Sequence, residues 1–261
     1  MKKVMLPLAL GIFSLGANAA TVQNEVSAGF SDHSKFDDVE TWSLGFKHYL
    51  NPVNTDNGPY DLNGFLSQQS YVEADAAFSD FVDSYGIGGR FINAGGWVLG
   101  GQYHNLDPDF GKDIDRYRLE GGKYLDDNTL LLGYYQRLDQ DHFDADTLGA
   151  RIEHYLPLAG QTGLMLKGDI SNTDMDFGDD VFVIDASGDY YLNKQWSVGG
   201  GLALVDADNE AEAFLANGRL DTSYFANTSY WFNPNANIKV GVEKTEGVSG
   251  FGWGVQGSYR F

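Results

Sequence analysis

His33 stands beside Asp32 and near Asp37 and Asp38, and His142 lies between Asp141 and Asp144. A carboxylate that orients an imidazole lets the ring take a proton from water or from a serine hydroxyl, which is hydrolase chemistry. Acids at alternate positions suggest a second chemistry. Asp174, Asp176, Asp179 and Asp180 form one such stretch, and Asp139, Asp141, Asp144 and Asp146 another. Their oxygens could ligate Ca2+, yet neither stretch has the twelve-residue loop closed by glutamate that an ordered site uses. Loose bridging of divalent cations, or simple enrichment of cations, is the alternative. The chain has no cysteine, which removes thiolate metal sites, cysteine nucleophiles and disulfide scaffolds. From these residues we expect no catalytic set, no cofactor and no stoichiometric metal.

The elements that would position these side chains are set by a broader pattern. The 261 residues carry 17 Lys+Arg against 37 Asp+Glu, a net charge of −20. That balance argues against a nucleic-acid partner, since such proteins hold phosphates with Lys and Arg. At the start, Lys2 and Lys3 precede an apolar stretch from Val4 to Leu15, and Ala17-Asn18-Ala19 follows. This is the layout of a secretory signal peptide, expected over residues 1–19. Residues 20–261 then form the exported domain. No later apolar run approaches the ~20 residues that a membrane-spanning helix needs.

Instead the exported part alternates with a period of two. Phe251, Trp253, Val255, Tyr259 and Phe261 point one way, and Gly252, Gly254, Gln256, Ser258 and Arg260 the other. Such a strand meets different media on its two faces. The pattern predicts strands over 22–31, 39–50, 69–78, 83–92, 96–105, 114–125 and 129–138. Further strands are expected over 146–156, 162–171, 180–192, 195–205, 220–232, 236–245 and 250–261. Most have about the 9–11 tilted residues that cross a bilayer. A transmembrane antiparallel β-barrel of about 14 strands is therefore expected, with 12 or 16 as alternatives. The stretch around Leu130-Leu131-Leu132 alternates poorly.

The connections sort into two kinds. One set is short and rich in Asn, Asp, Gly and Pro, as in 93–95, 126–128, 193–194 and 233–235. Pairs such as Tyr49-Leu50, Phe91-Ile92, Tyr124-Leu125, Tyr155-Leu156, Tyr191-Leu192 and Trp231-Phe232 precede them, as expected of an aromatic belt at the periplasmic membrane interface. The other set is longer and holds most of the acids, with only Lys35, Lys112 and Arg219 among basic residues. One rim of the barrel should thus be strongly negative. The loop 206–219 is the longest of this set and could fold inward or serve as a mobile lid.

The inward faces are then expected to carry Lys47, Glu73, Asp75, Arg90, Arg116, Arg118 and Glu120. Farther along come Arg137, Arg151, Glu153, Lys167, Asp169, Asp185 and Asp189, with Glu25, Lys239, Glu243 and Arg260 at the two ends of the chain. Charges survive on a water-facing lumen wall, whereas Lys or Arg at the lipid midplane would cost ~2–4 kcal/mol. These residues are candidate pore-lining groups. The arginines could form one basic patch facing acids across the pore, or each could pair with its nearest neighbour; the interior could also be plugged by ion pairs.

Two stretches carry a family resemblance. Gly257-Ser258-Tyr259-Arg260-Phe261 is similar to the terminal-Phe signal read by the barrel-assembly machinery, with Tyr259 and Phe261 as its aromatic positions. His48-Tyr49-Leu50-Asn51-Pro52-Val53 through Gly58-Pro59-Tyr60, followed by Phe65-Leu66-Ser67-Gln68-Gln69-Ser70, resembles the "putative general bacterial porin" family of Gram-negative outer membranes. The resemblance implies an outer-membrane protein in contact with lipid and lipopolysaccharide that passes small hydrophilic solutes by passive diffusion. A barrel enzyme with rim His and Asp, and a non-conducting adhesin or structural barrel, are the alternative functions. Monomer and trimer are both open.

Overall fold

Fourteen strands, each hydrogen-bonded to the next, close on themselves in the computed structural model. The structure describes residues 21–35, 40–109, 111–141, 143–160, 162–176, 179–208 and 221–261. The expected signal peptide, His142, Asp37, Asp38 and most of the loop 206–219 lie outside these residues. The strands are β1 Thr21–His33, β2 Thr41–Asn54, β3 Tyr71–Ser79, β4 Val82–Ile92, β5 Trp97–Pro108, β6 Ile114–Asp126 and β7 Thr129–Gln140. They continue as β8 Phe143–Pro157, β9 Gly163–Met175, β10 Val181–Tyr191, β11 Trp196–Asp206, β12 Ser223–Asn233, β13 Ala236–Thr245 and β14 Gly252–Arg260.

Every neighbouring pair is antiparallel, and β1 meets β14 with Glu25 opposite Arg260 and Val26 opposite Tyr259. Closure leaves no strand edge, so the backbone polar groups of the wall are paired within the sheet, as a hydrocarbon medium demands. The alternation places large apolar side chains on the outer face, where Leu99 and Leu148 are each 67% exposed and Ile87 62%. Water would not tolerate so continuous an apolar band, but lipid does. No helix among the described residues is long and apolar enough to cross a membrane.

Buried apolar side chains gather at the two ends of the inner face. Toward the acidic rim, Leu138, Ala145, Met175, Val181 and Val183 pack together. At the opposite end, three smaller clusters involve Val22, Tyr49 and Val53; Val98, Tyr124, Leu130 and Leu132; and Leu62, Tyr155, Met165 and Tyr191.

This second gathering changes the reading of the aromatic pairs. In five of the six pairs the first residue points inward and is buried, namely Tyr49, Tyr124, Tyr155, Tyr191 and Trp231, whereas in Phe91-Ile92 the order is reversed and Phe91 is 58% exposed on the lipid side. In those five the second residue (Leu50, Leu125, Leu156, Leu192 or Phe232) is the one on the lipid side. The five inward rings are not a lipid belt. They line a cup inside the periplasmic end, and the long connection between β2 and β3 fills it. That connection contains a 3-10 turn at Tyr60–Leu62 and a helical turn at Asn63–Leu66.

Candidate channel lumen and its periplasmic constriction

Between the apolar ends, the inner wall is polar and carries charges of both signs. Thirteen of the fourteen expected pore-lining residues share this face: Lys47 on β2, Glu73 and Asp75 on β3, Arg90 on β4, Arg116, Arg118 and Glu120 on β6, Arg151 and Glu153 on β8, Lys167 and Asp169 on β9, Asp185 and Asp189 on β10. Among the described residues, three of the six Lys and Arg on this face sit beside a carboxylate of another strand. Lys47 Nζ lies 3.1 Å from Glu73 and Arg90 Nε 2.7 Å from Glu120. Arg151 Nε lies 2.8 Å from Asp169, which also accepts a hydrogen bond from the Tyr134 hydroxyl at 2.7 Å. His104 approaches Asp75 at 3.3 Å.

Arg137 is the exception. Opposite Asp146, with Tyr135 opposite Leu148, it stands on the outer face near the acidic rim. There it bonds Asp144 and, at 3.4 Å, Asp146. The physical reason lies in the same strand, where Leu130 and Leu132 point inward and are fully buried beneath Phe65. A strand whose apolar residues face the lumen inverts the parity that assigns apolar side chains to lipid. Replacing Arg137 with Ser should therefore leave the reversal potential in a salt gradient unchanged, and a shift toward cations would place its charge in the conducting path after all.

The expected arginine patch is accordingly smaller. Arg90 and Arg151 are neutralised in place, and among the described residues Arg116 and Arg118 stand together with no carboxylate at bonding distance. Arg118 instead lies 3.6 Å over the ring of Tyr134. Along the rim, Lys112 pairs with Asp141 at 2.8 Å, and this hydrogen bond holds the ammonium above its ordinary pKa. Among the described residues, no three of His, Asp and Glu converge as a group able to hold a metal ion. Tyr259 and Phe261 stack with ring centroids 6.2 Å apart at the closing seam. The Phe261 carbonyl accepts the backbone N–H groups of Gln23 and Asn24.

The periplasmic constriction went unrecognised in the sequence. Its apolar anchors are Leu62, packed among Tyr155, Met165 and Tyr191, and Phe65, whose ring centroid is 5.5 Å from that of Tyr124. Polar ties run to widely separated strands. The Tyr124 hydroxyl donates to the Phe65 carbonyl at 3.2 Å and the Tyr191 hydroxyl to Asp61 at 3.2 Å. Arg260 donates to the Tyr60 carbonyl at 2.7 Å, and the Tyr60 N–H to the Lys194 carbonyl at 2.9 Å. Gly64 sits where a Cβ would lie 2.7 Å from the Tyr49 hydroxyl, so the segment passes directly against the wall. With attachments to β2, β6, β10 and β14, the segment crosses the mouth. One signal was available. This is the longest of the periplasmic connections, and it alone among them carries Leu62, Phe65 and Leu66 in succession.

Comparison with known proteins agrees with this geometry. No curated protein matches the chain. Among solved structures, the crystal structure of the Acinetobacter baumannii outer membrane protein Omp33 is similar with a TM-score of 0.71 and 19% identity, over 93% of this chain and 99% of that one. A structure described as "Bacterial polysaccharide outer membrane secretin" has a TM-score of 0.50 and 10% identity, over 94% and 100% of the two chains. At these identities the likeness is one of barrel architecture. Residues 1–134 match the profile of the family described as "Putative general bacterial porin", a match that takes in β1 to β6 and the whole constricting segment. The chain belongs to that family and is a porin of the Gram-negative outer membrane.

Proposed function

We propose that the barrel encloses a water-filled path through which small hydrophilic solutes and ions diffuse passively, lined by the thirteen inward residues from Lys47 to Asp189. The observation that carries this reading is the placement of both signs of charge on the inner wall of a closed fourteen-strand barrel. A lumen that wide holds water unless a segment fills it, and here a segment narrows one end. Charges on such a wall stay hydrated or paired and give solutes a polar surface to cross.

The acidic rim concentrates cations at the outer mouth and offers loose divalent bridges to lipopolysaccharide phosphates. Residues 1–19 direct export and are removed, and Tyr259 with Phe261 serves the assembly machinery. Catalysis is not part of this proposal. The Asp32 carboxylate accepts the backbone N–H of His33, and the His33 ring nitrogen accepts that of Lys35, so the couple is engaged in its own loop.

Liposome swelling tests the proposal. Vesicles holding the refolded protein should swell in arabinose, more slowly in disaccharides, and not in large dextrans. Swelling no faster than that of empty vesicles in any sugar would refute the passive path.

A further inference from the structure

Arg116 and Arg118 are the anomaly of the inner wall. Glu120, the next inward residue on β6, is bonded by Arg90, and Asp169 by Arg151 and Tyr134, and neither carboxylate makes a hydrogen bond with Arg116 or Arg118. Across the ladders their neighbours are His104 and Leu138 for Arg116, and Gln102 and Gln136 for Arg118. Arg116 Nε and one terminal nitrogen of Arg118 are shielded from solvent and donate to no acceptor. Two like charges on adjacent inward positions, roughly 7 Å apart along a strand, repel. Buried donors without acceptors add a further cost, which in a native structure calls for an explanation.

We propose that Arg116 and Arg118 form a binding site in the lumen for small carboxylate solutes. The site deepens the channel reading and rests on it for access from both sides. Guanidinium groups match a carboxylate in a planar, bidentate fork, a geometry that a spherical anion cannot use in full. Arg118 lies over the Tyr134 face, a contact that fixes the plane of its guanidinium. Gln102 and Gln136 flank it with side-chain amides, although Gln102 already donates to Glu73 at 3.2 Å. The acidic rim would repel anions at the mouth, so a carboxylate that passes it meets its first unpaired cations here.

Calorimetry on the folded barrel in detergent, with potassium succinate as the probe, tests the site without requiring conduction. Saturable succinate binding is expected, with chloride binding weaker. Arg116→Gln and Arg118→Gln should each weaken succinate binding about tenfold, the loss expected for a hydrogen bond to a charged group. The double variant should abolish it. Lys123→Gln removes an outward charge and should bind as the parent does. Heat-modifiable gel mobility confirms that each variant is folded; if a Gln variant does not fold, Arg116→Lys and Arg118→Lys keep the charge, lose the fork and should bind more weakly than the parent. A binding barrel that passes no current refutes the channel while keeping the site. No succinate binding, equal binding by the double variant, or equal competition by chloride overturns the site whether or not the barrel conducts.

Discussion

Replacing Leu62, Phe65 and Leu66 together with serine increases single-channel conductance and the largest sugar admitted, while the barrel stays folded. Leu62 is buried among Tyr155, Met165 and Tyr191, and Phe65 lies against Tyr124. At the low end of about 1.5–3 kcal/mol per side chain, since Phe65 and Leu66 are only partly buried, losing all three removes roughly 4.5 kcal/mol of docking free energy. That shifts the ratio of docked to undocked segment about a thousandfold. Held only by its hydrogen bonds, the segment no longer offsets the ~1–2 kcal/mol per residue that ordering its backbone costs. The β-ladders do not depend on these three residues, so heat-modifiable mobility should persist. Conductance identical to the parent's would mean that the segment lies outside the limiting part of the path.

The second large effect is expected at the seam. Arg260 is 5% exposed and its Nε lies 2.5 Å from Glu25 across the β1–β14 pair. It also donates to the Tyr60 carbonyl and rests 4.1 Å over the Trp231 ring. Arg260→Ala leaves Glu25 without its partner, releases one tie of the constricting segment and opens space beside Trp231. Removing one member of a buried pair costs about 3–5 kcal/mol, and the partial exposure of Glu25 argues for the low end. Reversible urea unfolding in vesicles should show that loss, and the Glu25→Ala/Arg260→Ala double variant should recover part of it. A loss below about 1 kcal/mol would mean that the pair behaves as an ordinary surface bridge.

Both effects arise from the feature that the sequence made hardest to see. All fourteen strands were legible, because lipid outside and water inside impose a period of two on each. The alternation of short turns with acidic loops fixed which rim is which. Most lumen charges were legible for the same reason, since parity assigns them once the apolar face is known. Parity failed in β7, where Leu130 and Leu132 face inward to meet Phe65. It misled also for Tyr49, Tyr124, Tyr155, Tyr191 and Trp231, whose ring at one height suits a membrane interface as well as an internal cup. Periodicity reports which face is apolar, not whether lipid or another part of the chain covers it. Pairing was equally hidden: that Arg90 and Arg151 are neutralised while Arg116 and Arg118 are not depends on cross-strand register, which alternation alone does not set.

Single-channel recording of the refolded, signal-free protein in a planar bilayer shows whether water and ions pass through this barrel. Discrete open steps are expected, with a cation preference in a salt gradient that declines as ionic strength rises, because the acidic rim acts through a screened field. A folded, inserted barrel that gives no steps at any salt concentration, even with Leu62, Phe65 and Leu66 replaced, would contradict the passive path.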